Sequence, residues 1–112
     1  MKPYKVDYTS LRRSSRIIVN LPFYYLLDNE VHMGELVDLS ACGLFALVAP
    51  DARLLEGMPI AFQLMLPTTA IPILLKGEIV RNEIGDDKLG IRVNFTNITE
   101  ATRNEFLKYI LH

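Results

Sequence analysis

Leu89, Ile91, Val93 and Phe95 alternate with Gly90, Arg92 and Asn94, and this is the strictest period-two run in the chain. Side chains of an extended strand point alternately to its two faces, so the four apolar residues share one face and Gly90, Arg92 and Asn94 the other. Ile60, Phe62, Leu64 and Leu66 repeat the pattern earlier. Such a strand must lay its apolar face on other strands, and turn signals supply them. Asp28-Asn29-Glu30, Ala49-Pro50-Asp51, Pro67-Thr68-Thr69 and Gly85-Asp86-Asp87 cut the remaining apolar runs into short pieces.

Taken in order, Ile17-Ile18-Val19 opens a β-branched strand that Pro22 interrupts as a bulge or edge before residues 23–27 continue it. Residues 31–39 form a second strand with Gly34 as a candidate bulge, and residues 44–48 a third. A connection over residues 51–57 closes at Gly57, and residues 71–80 form a further strand ahead of the last one. Near the end the period changes. Thr99 is an N-cap with Glu100 in the first turn, and Phe106, Leu107, Ile110 and Leu111 recur at helical spacing. The expectation is a mainly β protein: a small six- to seven-stranded antiparallel β-barrel with a C-terminal α-helix, 99–111, covering one opening. The 112 residues suit one domain, 16–112, preceded by a flexible basic arm, 1–15.

Charge and composition exclude several functions. Net charge is −1, which argues against general binding of nucleic acid or anionic lipid. Residues 1–16 nevertheless carry Lys2, Lys5, Arg12, Arg13 and Arg16 against Asp7 alone, so a basic arm leads an acidic body. No apolar run reaches the length of about 20 that spans a bilayer, and no apolar segment follows the first residues as in a secretory signal. A single cysteine, Cys42, precludes an internal disulfide, and a cytoplasmic location is expected. Cys42 itself reads as a small turn hydrophobe without an evident base beside it. His32 and His112 are far apart, and neither metal-ligand spacing nor a phosphate-loop glycine pattern is present. The chain therefore reads as a binding protein and not an enzyme, with no metal or cofactor and no membrane insertion; monomer and homodimer are both open.

Chemistry concentrates in Asp38-Leu39-Ser40-Ala41-Cys42-Gly43, read with Arg12-Arg13-Ser14-Ser15-Arg16. Lying between apolar runs, the hexapeptide is a strand, a tight turn and a returning strand, with Gly43 suited to positive φ and Asp38 and Ser40 suited to bonding nearby amides. Guanine offers O6 and N7 acceptors that a guanidinium fork satisfies bidentately, and N–H donors on the other edge that a carboxylate accepts. If the two segments meet, they can grip a guanine nucleotide by base and phosphate, with a guanidinium left to stack on the ring.

Arg12-x-x-x-Arg16 followed by Asp38-x-Ser40-x-x-Gly43 resembles the paired signature of the PilZ domain, a bacterial receptor module for cyclic di-GMP. The likeness continues through Leu44-Phe45, Gly57, Gly77-Glu78-Ile79-Val80-Arg81 and Leu89-Gly90-Ile91-Arg92-Val93, where Val93 replaces the family's frequent Phe. The resemblance implies a cyclic di-GMP receptor whose ligand residues are Arg12, Arg16, Asp38, Ser40 and Gly43. It implies that the arm orders over the barrel and that an unidentified effector protein (flagellar, pilus, polysaccharide or transcriptional) reads the change in trans. The alternative is an interaction module of the same fold that works without the nucleotide. Arg92 either supports the ligand or solvates the barrel exterior. Leu11 and Arg13 bear on stoichiometry: Leu11 offers no donor for a second ligand and an extended Arg13 points away from Arg12 and Arg16, so one ligand per chain is expected.

Overall fold

The computed structural model describes residues 16–50, 53–67 and 72–111. They form β1 (Arg16–Leu27), β2 (Glu30–Ser40), β3 (Gly43–Val48), β4 (Pro59–Leu64), β5 (Ile73–Ile84), β6 (Leu89–Phe95) and α1 (Glu100–Leu111). All neighbouring strands are antiparallel, and the sheet closes in the order β1-β2-β3-β6-β5-β4 through pairing of β4 with β1. The barrel thus has six strands, the lower of the two numbers expected.

Local chemistry sets the boundaries. Asp28 and Asn29 both adopt positive φ, 54° and 63°, which makes the two-residue loop between β1 and β2 of the kind whose twist matches the flanking strands. Gly57 ends the connection before β4 at φ 90°, and its N–H donates to the Ile79 carbonyl at 2.7 Å. Thr99 caps α1: its hydroxyl accepts from the Thr102 N–H at 3.1 Å, and its carbonyl accepts from the Arg103 N–H at 2.9 Å.

The inward rows carry the core, in which Phe23, Leu36, Leu39, Leu44, Ile79, Ile91 and Val93 have no exposed surface. An aromatic chain runs through it. Phe23 meets Phe62 at 5.6 Å between ring centroids, Phe62 meets Phe95 at 5.8 Å, and Phe95 meets Phe106 of α1 at 5.5 Å. Phe106 is fully buried and Ile110 nearly so, while Leu111 is exposed, so the helical stripe is narrower than the sequence pattern implied. Among the described residues no helix is long and apolar enough to cross a membrane.

Register shifts three times at one level of the barrel, and in β2 and β5 the shift breaks the alternation. Leu36 faces Ala46 but Asp38 faces Phe45, so Val37 is extra in β2. Ile79 faces Val93 but Arg81 faces Arg92, so Val80 is extra in β5. In β1 the register shifts between Ile18, opposite Asp38, and Leu21, opposite Leu36. Gly34 is not a bulge: it pairs in register with Phe23, and the shift in β2 comes later. A Cβ at Gly34 would stand 2.5 Å from the Leu47 carbonyl oxygen, so close strand approach is what that glycine serves. Pro22 likewise stays in register with Glu35, just after the β1 shift. β5 runs on to Ile84, beyond the end expected at Val80, because the bulge lets pairing with β6 resume.

Candidate functional site

The bulges determine what faces outward. Unbroken alternation would turn Asp38 inward with Leu36, and Arg81 inward with Ile79; the extra residue in each strand turns both out. One transverse row on the outer surface then reads Ile18, Asp38, Phe45, Arg92, Arg81 across β1, β2, β3, β6 and β5.

Asp38 is the centre of this row. Arg16, at the start of β1, donates from Nη1 to its Oδ1 at 2.7 Å, and Arg92 Nη2 lies 3.7 Å from its Oδ2. The Asp38 side chain is only 16% exposed, so these pairs are stronger than fully solvated ones. Arg92 is also held from below, its guanidinium carbon lying 5.0 Å above the Phe45 ring centroid. Phe45 can lie flat because Gly90 has no side chain: a Cβ there would come within 2.7 Å of the Phe45 Cζ. Arg81 stands directly opposite Arg92, with Glu83 at 3.4 Å. Three guanidiniums against the two carboxylates of Asp38 and Glu83 leave one positive charge over, which is a seat for an anion.

Ser40 has a different place from Asp38. Its side chain is completely buried, and its Oγ accepts from the Cys42 N–H at 3.2 Å and the Gly43 N–H at 3.1 Å while donating to the Gly43 carbonyl at 3.2 Å. The hydroxyl is committed to the turn between β2 and β3. Gly43 does not take positive φ; the glycine that does is Gly57. Gly43 begins β3 opposite Asn94, where a Cβ would stand 2.2 Å from the Val93 carbonyl oxygen. The demand is steric approach of β3 to β6, not a left-handed turn. Cys42 is exposed, and so is not the turn hydrophobe expected.

Arg16, Asp38 and Arg92 are thus brought together, Ser40 and Gly43 build the turn beside them, and Leu11, Arg12 and Arg13 lie outside the described residues. Phe45 and Arg81 were not singled out as site residues from sequence. Phe45 reads as a core apolar residue in an apolar strand, and Arg81 joins the row only through the β5 bulge. Among the described residues no cluster of His, Cys, Asp or Glu can hold a metal ion.

Comparison with known proteins agrees with this architecture. The sequence profile of the PilZ domain matches residues 10–112. No curated protein matches the chain. Among solved structures, the Bacillus subtilis inhibitor of motility (MotI/DgrA) superposes with a TM-score of 0.76 at 15% identity, over 87% of this chain and 48% of its own. The chain thus spans about half of that protein's length. The PilZ domain of YcgR from Escherichia coli, solved with c-di-GMP, gives 0.70 at 19% identity over 86% of each chain. PlzA from Borreliella burgdorferi, also in complex with c-di-GMP, gives 0.59 at 14% identity over 98% of this chain and 41% of its own. Identities this low establish the shared fold. With the profile extending over nearly the whole sequence, the barrel and its outward row are those of a chain that belongs to the PilZ domain family.

Proposed function

We propose that the chain is a cyclic di-GMP receptor that passes ligand occupancy to a partner protein in trans. The observation that carries the reading is the cluster of Arg16, Asp38 and Arg92 on the outer row. On guanine, the N1–H and N2–H donors adjoin the O6 acceptor, with N7 beyond it. A carboxylate on the first edge and a guanidinium on the second are therefore neighbours around the base, as Asp38 and Arg16 are at 2.7 Å. Adenine would set an amino donor against the arginine and a bare ring acceptor against the carboxylate.

In this reading Asp38 accepts from the guanine N–H edge and Arg16 donates to O6 and N7. Arg12, four residues earlier, supplies phosphate contacts or stacks on the ring. Arg92, steadied on Phe45, adds a second cation beside Asp38. Ser40 and Gly43 act through the turn: the hydroxyl fixes it, and the missing Cβ lets β3 lie against β6. Family membership and the c-di-GMP complexes of YcgR and PlzA support the choice of nucleotide.

Calorimetric titration with cyclic di-GMP, using GMP and GTP as controls, tests the proposal. Binding at micromolar or tighter affinity is expected, with both mononucleotides at least about tenfold weaker because they cannot present two phosphates and two bases together. Absence of cyclic di-GMP binding, or equal affinity for GTP, refutes it.

A further inference from the structure

Asp38 stands on β2 and Arg92 on β6, with β3 between them, so their backbones are two strand spacings, about 10 Å, apart. Arg92 reaches the carboxylate only by lying across β3, and the β3 residue in its path is Phe45, opposite Asp38 on one side and Arg92 on the other. An upright ring would block that path. The ring lies low instead, its Cζ and Cε1 only 2.7 and 3.0 Å from where a Cβ of Gly90 would stand, and the Arg92 guanidinium carbon is 5.0 Å above its centroid. On its other side Arg92 faces Arg81, a like charge, which favours the route over β3. We infer that Gly90 and Phe45 are positioning residues for base recognition: without touching the ligand they carry Arg92 across to Asp38, and Arg92 fixes the carboxylate toward the guanine N–H edge. This role rests on the cyclic di-GMP reading above, and it gives Arg92 to Asp38 rather than to a phosphate.

Asp38 needs such a support. Arg16 donates to its Oδ1 at 2.7 Å, and once Arg16 turns to O6 and N7 of the base it no longer holds the carboxylate. Arg92 is the cation that stays. At 3.7 Å from Oδ2 it forms an ion pair too long for a hydrogen bond, so it orients the carboxylate by charge and leaves the oxygen lone pairs to the two guanine donors. The Asp38 side chain is 16% exposed and that of Arg92 31%, so water screens this attraction less than it screens a fully exposed pair. The ring in turn depends on Gly90. A Cβ there would meet the far end of the Phe45 side chain, while the backbone atom nearest to it, the Glu83 carbonyl oxygen, lies at an ordinary 3.7 Å. Phe45 also borders a hollow of about 330 Å³ beside Leu47 and Ile84, so a displaced ring has room and the strands need not part. Gly90→Ala therefore shifts the ring and unseats Arg92 while the barrel stays intact.

Cyclic di-IMP tests this, because it differs from cyclic di-GMP only in lacking the 2-amino group of each base, one of the two donors that face Asp38. Calorimetric titration of the whole chain with both nucleotides reads the Asp38 contact as a ratio of affinities. The parent should prefer cyclic di-GMP at least about tenfold, and Arg92→Gln and Gly90→Ala should each bring the ratio below about threefold, with Tm within about 4 °C of the parent. Arg92 side-chain protons, moved upfield by the Phe45 ring in the NMR spectrum of the parent, should lose that shift in Gly90→Ala. Phe45→Leu, which removes the ring and keeps an apolar side chain, should lower the ratio likewise and decides the case if Gly90→Ala fails to fold. An Arg92→Gln protein that loses affinity for both nucleotides equally, its ratio intact, overturns the proposal and gives Arg92 to the phosphates. A folded Gly90→Ala or Phe45→Leu protein that keeps the parent's ratio overturns it as well. A parent that binds neither nucleotide fails the cyclic di-GMP reading itself and this role with it, whereas a parent that binds both alike keeps the ligand and overturns the Asp38 contact alone.

Discussion

Ser40→Ala separates a turn-building hydroxyl from a ligand-binding one. The substitution removes one oxygen that accepts from the Cys42 and Gly43 N–H groups and donates to the Gly43 carbonyl. The Gly43 amide is buried and loses its partner outright, a desolvation cost of about 1–3 kcal/mol. The Cys42 amide belongs to an exposed residue and can return to water, so its loss is nearer the net value of a hydrogen bond, about 1 kcal/mol. Together they give about 2–4 kcal/mol, a large part of the roughly 5–15 kcal/mol that holds a domain folded. For a chain of this length that corresponds to a fall in Tm of about 8–16 °C. Thermal unfolding followed by far-UV circular dichroism, repeated with urea, measures it. A Ser40→Ala protein that melts within about 2 °C of the parent would refute the turn assignment, because it would mean that both amides find other partners at no cost.

Arg16→Ala should weaken cyclic di-GMP by about 1.5–3 kcal/mol, roughly ten- to a hundredfold by calorimetry, yet lower stability by less than about 1 kcal/mol, since its pair with Asp38 is partly solvated. Gly43→Ala should destabilise by more than about 1 kcal/mol in urea titration, because its Cβ meets the Val93 carbonyl oxygen, a backbone atom that moves only if β3 separates from β6. Arg81→Gln should leave Tm unchanged or slightly raised, since it removes a like charge directly opposite Arg92, while cyclic di-GMP affinity falls several-fold; a lowered Tm with intact affinity would give Arg81 a purely structural role.

Where one period ran without interruption, the sequence was a sufficient guide. The alternation at residues 89–95 matches β6, Thr99 caps the helix, and Asp28-Asn29 turns the first hairpin. Gly34 and Gly43 misled for one reason. A glycine in a strand pattern suggests a bulge or positive φ, but at both positions it serves a neighbouring backbone that comes too close for a Cβ. That neighbour, Leu47 for one and Val93 for the other, is set by register across the barrel, which local pattern does not contain. The same holds for the site. Arg16 and Asp38 could be paired from their chemistry, whereas Phe45, Arg81 and the position of Arg92 follow from which residues share a transverse row.

The row exists because alternation fails at its level in both β2 and β5. In an unbroken β2, Asp38 would follow Leu36 into an interior lined by Leu44 and Ile91, where an unpaired carboxylate costs several kcal/mol, and Leu39 would be turned out to solvent. In an unbroken β5, Arg81 would follow Ile79 to the same place. Each bulge forfeits regular ladder bonding and leaves one extra residue, Val37 or Val80, poorly used. The bulge and the charged residue after it therefore depend on each other. Keep Val37 but regularise the ladder and Asp38 is driven into the core; remove the charge alone and the cost of burying it no longer offsets the broken ladder. Such coupling concentrates departures from the barrel's own pattern where Arg16, Asp38, Arg92 and Arg81 converge, and sites of ligand recognition are where a fold departs from the sequence rules that its remaining strands obey.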